Sequence, residues 1–433
     1  MVNLRARSAA ALRVSLALLD LDRSGICLRI GFYSFWGLAL TASAGWALEP
    51  SDLFLIQKGP TALKPQFRSS LVFTDNITFR DEDKLSDLYA LISPGLAFQV
   101  GSHDYNYLDL SYFFERLQYF QHQEFDANQH RFAIENRFQR SRFTLDGVDR
   151  IEMLSSPLGG GYSLAGAMVD RTSFADHYRL TYSLSDRTAV YTAIAHSSLD
   201  YQDDIPLYDS RTLIGTLGFM YRAFTRTFFF GELYYGTTEN DANPGLVERA
   251  IRSQRDPSEV RYPTARFIGG FIGARGYFTE KLSGTVKAGF EQRDYSGAEG
   301  GGGAPVVDAS LSHRLSERTL ITLAYSRRQL ESVEFVSSSY VSDSVSASVR
   351  QQIGADGRLR ADLTAGYINS VYDSAGGADR EDNIVTTALT ITYDIKLWMR
   401  VFGGYNFEWL DSGHPTIVDY VVNRFSLGIE LGF

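Results

Sequence analysis

Over residues 419–433 the side chains alternate between two kinds, and that alternation limits what the segment can become. Phe425, Leu427, Ile429, Leu431 and Phe433 share one parity, while Arg424, Ser426, Gly428, Glu430 and Gly432 share the other. Successive strand side chains point to opposite faces, so this segment as a strand has one face fit for hydrocarbon and one fit for water. The same period recurs upstream. Leu282, Val286, Ala288 and Phe290 oppose Ser283, Thr285, Lys287 and Glu291; Val341, Val345, Ala347 and Val349 oppose Ser342, Ser344, Ser346, Ser348 and Arg350. Residues 359–367 repeat it, with Leu359, Ala361, Leu363, Ala365 and Tyr367 against Arg360, Asp362 and Thr364. Segments 226–235 and 265–278 are apolar on both parities, and their orientation stays open.

The connectors carry a second regularity. Short polar ones fall at 101–104, 139–141, 185–187, 223–226, 279–281, 316–318, 354–358 and 394–396, with longer ones near 79–86, 119–127, 154–172, 200–208, 238–263, 294–304, 330–337, 373–382 and 411–418. Strict short–long alternation is the mark of a meander with tight turns on one rim and loops on the other. Its intervals predict an all-β fold, a transmembrane antiparallel up-and-down β-barrel of about 18 strands with N- and C-termini on the periplasmic side. Closure is what a membrane demands, because hydrocarbon supplies no partner to an unpaired strand edge. Composition agrees: 25 Tyr, 29 Phe and 38 Gly accompany a mean hydropathy of only −0.16, far too polar for a bundle of membrane helices.

One apolar run stands apart. Residues 30–47 follow Arg29 and end in small residues, the order of a secretory signal, with cleavage expected after Ala44 or Ala47. An uncleaved inner-membrane anchor is the alternative. Three parts are therefore expected: an N-terminal extension and signal peptide over 1–47, a periplasmic segment over 48–66, and an outer-membrane barrel over 67–433. The one cysteine, Cys27, lies in the first part, so the exported chain has no thiol for a disulfide or a Cys metal site. The net charge is −9, and residues 1–47 hold five Arg and two Asp, a local +3, which leaves −12 for the remainder. Such an acidic chain argues against nucleic acid as a partner.

Charges on the polar parity are the natural lining of a lumen: Asp109, Glu115, Arg131, Glu135, Arg137, Glu232, Lys287, Glu291, Arg360, Asp362, Arg400 and Glu430. Opposed charge rings select a polar solute, although the same residues also serve simply to solvate a wet wall. By alternation Phe113, Phe228, Phe230, Tyr234 and Trp398 can be placed inward, yet the usual place of barrel aromatics is the interfacial girdle, and the girdle is the expectation here. Asn243 as N-cap and Pro244 at N1 open a short helix within 243–254, either a lumen constriction or an outer loop. The glycine run in 155–162 lacks the context of a phosphate loop. None of the seven His stands at metal-ligand spacing and no G-x-S-x-G elbow occurs, so no catalytic residue, metal or cofactor is expected. A barrel hydrolase would rest on Ser173, Asp176, His177 and His196.

The opening strands carry a resemblance. Thr74-Asp-Asn-Ile-Thr78, then Ser86-Asp-Leu-Tyr-Ala-Leu-Ile-Ser-Pro-Gly-Leu-Ala97 and Leu108-Asp-Leu-Ser-Tyr-Phe113, resemble the start of the putative β-barrel porin 2 family. The residues Ile429, Leu431 and Phe433 are similar to the C-terminal signal read by the barrel-assembly machinery. The resemblance implies a porin-like channel of the Gram-negative outer membrane that exports an exopolysaccharide. Its expected partners are that polysaccharide, outer-membrane lipid and lipopolysaccharide, and a periplasmic polysaccharide-export protein. A general diffusion porin for small polar solutes is the alternative.

Overall fold

The computed structural model describes residues 54–432 except 160–164, 203–206, 243–263, 297–300, 332–338, 373–379 and 415–416. The expected signal segment, Cys27, the helix over 243–254, part of the 155–162 glycine run and Phe433 lie outside the described residues.

The strands are β1 (Ile56–Lys58), β2 (Thr61–Thr74), β3 (Asp87–Gly101), β4 (Tyr107–Tyr119), β5 (Ala127–Arg140), β6 (Phe143–Pro157) and β7 (Met168–Ser183). They continue as β8 (Thr188–Tyr201), β9 (Tyr208–Phe224), β10 (Thr227–Ala242), β11 (Thr264–Tyr277), β12 (Leu282–Ser296) and β13 (Gly301–Ser316). The last six are β14 (Thr319–Glu331), β15 (Ser339–Ile353), β16 (Leu359–Tyr372), β17 (Arg380–Lys396), β18 (Met399–Ser412) and β19 (Tyr420–Leu431). From β2 to β19 every strand pairs antiparallel with its chain neighbours, and β19 pairs back onto β2 from Phe67↔Leu431 to Thr74↔Arg424. The 18 strands thus form a closed ring.

Connections along one rim are as short as 141–142, 225–226, 317–318 and 397–398, and those along the other include 75–86 and 158–167. The start of β2 and the end of β19 both fall on the tight-turn rim. The wall begins earlier than expected, at Thr61, so residues 61–66 of the segment assigned to 48–66 are part of it. These six residues extend below the end of β19, where β1 folds back to pair Ile56↔Leu63. Trp398, expected on one face or the other of a strand, sits instead in the 397–398 turn, stacked on Phe54 at 5.6 Å.

One face of the sheet carries the large apolar side chains that stay exposed in the isolated chain. Leu71, Leu96, Ile134, Leu217, Leu233, Ile272, Phe290, Leu323, Val345, Leu363 and Leu427 all belong to it. This is the outer surface, whose burial is left to lipid. At its upper border Tyr325, Tyr367 and Tyr405 hand their hydroxyls to Asp343, Asn383 and Asn423, which gives amphipathic rings one apolar and one polar end.

The motif Thr74-Asp-Asn closes the ring. Asp75 accepts the backbone N–H and the side-chain amide of Asn423, each at 2.7 Å, and Asn76 donates to the carbonyl of Val421 at 3.0 Å. First and last strands are thereby clamped at their upper ends. Asp87 gathers the backbone N–H groups of Leu88, Gln121 and His122, anchoring the 120–126 connection. These motif residues hold the wall together.

Candidate functional site

Two apolar-looking segments, 226–235 and 265–278, build the most distinctive part of the inner wall. Phe228, Phe230, Glu232 and Tyr234 alternate along β10, two residues or roughly 6.6 Å apart. In register beside them on β11 and β12 stand Arg275, Phe271, Phe267, Lys287, Glu291 and Arg293. The rings do not project freely. A Cβ on Gly218 would lie 2.0 Å from the Tyr191 ring, one on Gly269 would lie 2.4 Å from Tyr234, and one on Gly236 would lie 2.4 Å from Phe267. Glycine in the neighbouring strand is what lets each ring lie against the backbone.

Cations cover these rings. Lys287 and Arg293 stand 4.3 Å from the centroids of Phe271 and Phe267, and Arg179 stands 4.8 Å from that of Tyr191. The electron-rich ring face attracts the cation and fixes a side chain that would otherwise sweep through solvent. Carboxylates complete the layer. Glu232 accepts from the Tyr191 hydroxyl and lies 3.7 Å from Lys287 Nζ; Glu291 accepts from Tyr234 at 2.8 Å and pairs with Arg293 at 2.6 Å. Arg293 also pairs with Glu331. The wall from β8 to β13 is therefore glycine, then ring, then fixed charge.

All twelve charges expected on the inner face have inward parity, but they do not form one site. Glu232, Lys287 and Glu291 belong to the layered wall. Arg400 lies 3.6 Å from Glu430 and 3.4 Å from Asp394, which Arg360 also approaches at 3.4 Å, near the tight-turn rim. Arg131 joins Glu115 at 2.7 Å, and Arg137 pairs with Asp146 at 2.6 Å. Asp109 meets His103, with Glu135 beside them in a cavity of about 250 Å³ also lined by Lys64 and Arg150. Asp362 receives Arg350 at 2.6 Å.

The expected girdle position is corrected for four rings: Phe113, Phe228, Phe230 and Tyr234 face inward, because they share parity with Glu115 and Glu232. Arg179, Tyr191, Phe267, Phe271, Arg275 and Arg293 join the wall without having been expected there. For Tyr191 and Phe267 the signal is a facing glycine on another strand, Gly218 and Gly236, which reads as ambiguity until strands are paired.

The adjoining inner wall is plainer. From β14 to β17 the inward positions include Thr322, Ser326, Ser344, Ser346, Ser348, Thr364 and Thr390, interrupted by few rings, with the pairs Arg350–Asp362 and Arg360–Asp394 toward the tight-turn rim. Above, the 75–86 connection folds in over the lumen. Ile77 packs with Tyr119 and Phe125, Phe79 stacks edge-on to Tyr420 at 5.2 Å, and Gly159 and Gly166 of the β6–β7 connection abut Phe79 and Thr78. Two loops therefore meet across part of the mouth. The hydrolase arrangement is not assembled: His196 approaches Asp176 on the outer face, while Ser173 and His177 face inward.

A closed ring of 18 strands, lipid-fit outside and charged within, defines a porin-type β-barrel of the outer membrane. The family model described as "Putative beta-barrel porin 2" matches residues 266–433, the same family that the opening strands resemble. Among solved structures, the chain is similar to OccAB4 of Acinetobacter baumannii, with 11% identity and a TM-score of 0.43 over 86% of this chain and 98% of that one. It is also similar to OccK3 of Pseudomonas aeruginosa, with 12% identity and a TM-score of 0.44 over 85% of this chain and 95% of that one. No curated protein matches the chain.

Proposed function

We propose that the barrel carries a polar, saccharide-type polymer outward across the outer membrane, with the tight-turn rim in the periplasm. The observation that supports this reading is the layered wall of β8–β13. Sugar rings present both C–H faces and hydroxyl rims; a wall that interleaves rings such as Tyr234 and Phe271 with fixed carboxylates and cations offers partners for both. Anchored side chains also bind at little cost in ordering, so a sliding chain meets many weak, preformed contacts. Deleting the gene should abolish a surface polysaccharide, and unchanged polysaccharide in the deletion strain would refute the proposal.

A second reading, a diffusion porin for small polar solutes, is favoured by the hydroxyl wall of β14–β17, which leaves room for water beside the charged one. Planar-bilayer recording separates the two. Export predicts low or intermittent conductance with both mouth loops in place, and free diffusion predicts a steady open pore.

A further inference from the structure

Among the described residues, a mid-strand region of the outer surface does not suit hydrocarbon. Asp149 and Asp176 lie at mid-strand in β6 and β7, directly opposite one another, on the parity of Ile151, Phe174 and Leu180 that faces outward. Beside Asp176 in register is His196 of β8, and next to Asp149 is Tyr178, which lies over Gly147. One line of register shows how deep this is. It runs Leu63, Phe98, Leu110, Ile134, Asp149, Asp176, His196, Leu213, Thr237 and Arg266, from the foot of β2 to the top of β11. Because barrel strands are tilted, such a line climbs steadily, and the two carboxylates sit halfway along it. At matching depth elsewhere the outer wall shows Leu217, Leu233, Ile272, Val286 and Leu363. Polar outer side chains such as Arg327 and Asp343 stand nearer the loop rim.

The cluster is only partly satisfied from within. Tyr178 donates to Asp149 at 2.6 Å and His196 Nδ1 lies 3.4 Å from Asp176. Among the described residues each carboxylate has that one polar partner, although it can accept several hydrogen bonds. Hydrocarbon would leave the rest unmet at the depth where a charge on the lipid face is most costly.

We propose that this face is covered by a second copy of the same chain, through a two-fold axis along the membrane normal near β7 and β8. Such an axis needs a self-complementary patch. This one has an acceptor, Asp176, and a donor, His196, side by side on adjacent strands, so rotation brings one copy's His196 to the partner's Asp176 and the reverse. Ile134, Ile151, Leu180 and Ile194 surround the polar centre with apolar surface that excludes water. The inference concerns the outside of the wall and is independent of what the lumen carries.

Its test uses the full-length protein in outer membranes and in mild detergent. Ile194→Cys lies beside the axis and Leu363→Cys lies on β16, across the barrel. A bis-maleimide should link two copies through Ile194→Cys and not through Leu363→Cys or in the parent, and light scattering should give the mass of two chains. Asp149→Leu with Asp176→Leu should convert that mass to one chain while the barrel still resists SDS until heated. A single-chain mass for the parent, equal linking at both cysteines, linkage of Ile194→Cys to a different protein, a mass other than two copies, or an unchanged double mass in the Leu variant would overturn the inference. Should the double variant not assemble, cross-linking in membranes decides alone.

Discussion

The inner walls on β8–β13 and β14–β17 share strand geometry and antiparallel pairing, yet they are built on opposite plans. The first places a ring over a glycine and a charge over the ring; Arg293 is 5% exposed, held between Glu291, Glu331 and Phe267. The second presents short hydroxyls, as at Ser344, Ser346 and Thr364, each with little reach and little to lose. Fixed charge in a wall is coupled, because removing one member strands the others in a poorly hydrated place. Hydroxyls facing water are replaceable one at a time.

The sharpest break between the walls should come from Arg293→Ala, which takes the shared cation from buried Glu291 and half-buried Glu331 and should cost ~3–5 kcal/mol. Urea titration of the purified barrel measures it, and a loss below about 1 kcal/mol would show that the two glutamates find other partners. Next comes the glycine beneath a ring. Gly218→Val forces Tyr191 off the backbone and should cost about 1–3 kcal/mol, with Tyr191→Ala in the same chain recovering part of it. Lys287→Glu tests electrostatics in place of packing. Reversing one charge about 10 Å from a passing ion changes its energy by under 1 kcal/mol in water, in opposite senses for anion and cation, so each permeability should shift about fourfold and their ratio should fall roughly 16-fold. Smallest of all, Ser346→Ala should shift stability by less than about 0.5 kcal/mol and leave conductance unchanged. A large effect there would erase the contrast.

Much of this architecture is legible in the amino-acid sequence. Period-2 patterning identifies both faces wherever one parity is clearly polar, as in β16 and β19, and loop lengths set the strand number because a meander must alternate its rims. Legibility ends where both parities are apolar. In β10 and β11 the inner face buries its rings under cations donated by other strands, and no local pattern reports a partner on the next strand. The same limit hides the pairing of Asp149 with Asp176. Each sits in its own strand as one polar residue among apolar ones; only register sets them side by side. Trp398 departs from its expected place for a simpler reason, since the tight turn falls at 397–398, just beyond the polar stretch 394–396 expected to form it.

The clamp between Asp75 and Asn423 has a consequence for biogenesis. Every other seam between wall strands joins chain neighbours, whereas the β2–β19 seam that this clamp closes spans 348 positions of sequence between Asp75 and Asn423. Bringing such distant ends together costs about 5 kcal/mol of chain entropy for a flexible loop, against little for each hairpin. The polypeptide can therefore zip up locally during delivery, but it keeps two raw borders until synthesis has finished and the final strand arrives. Any premature stop would leave a sticky open ribbon, prone to join its neighbours rather than itself.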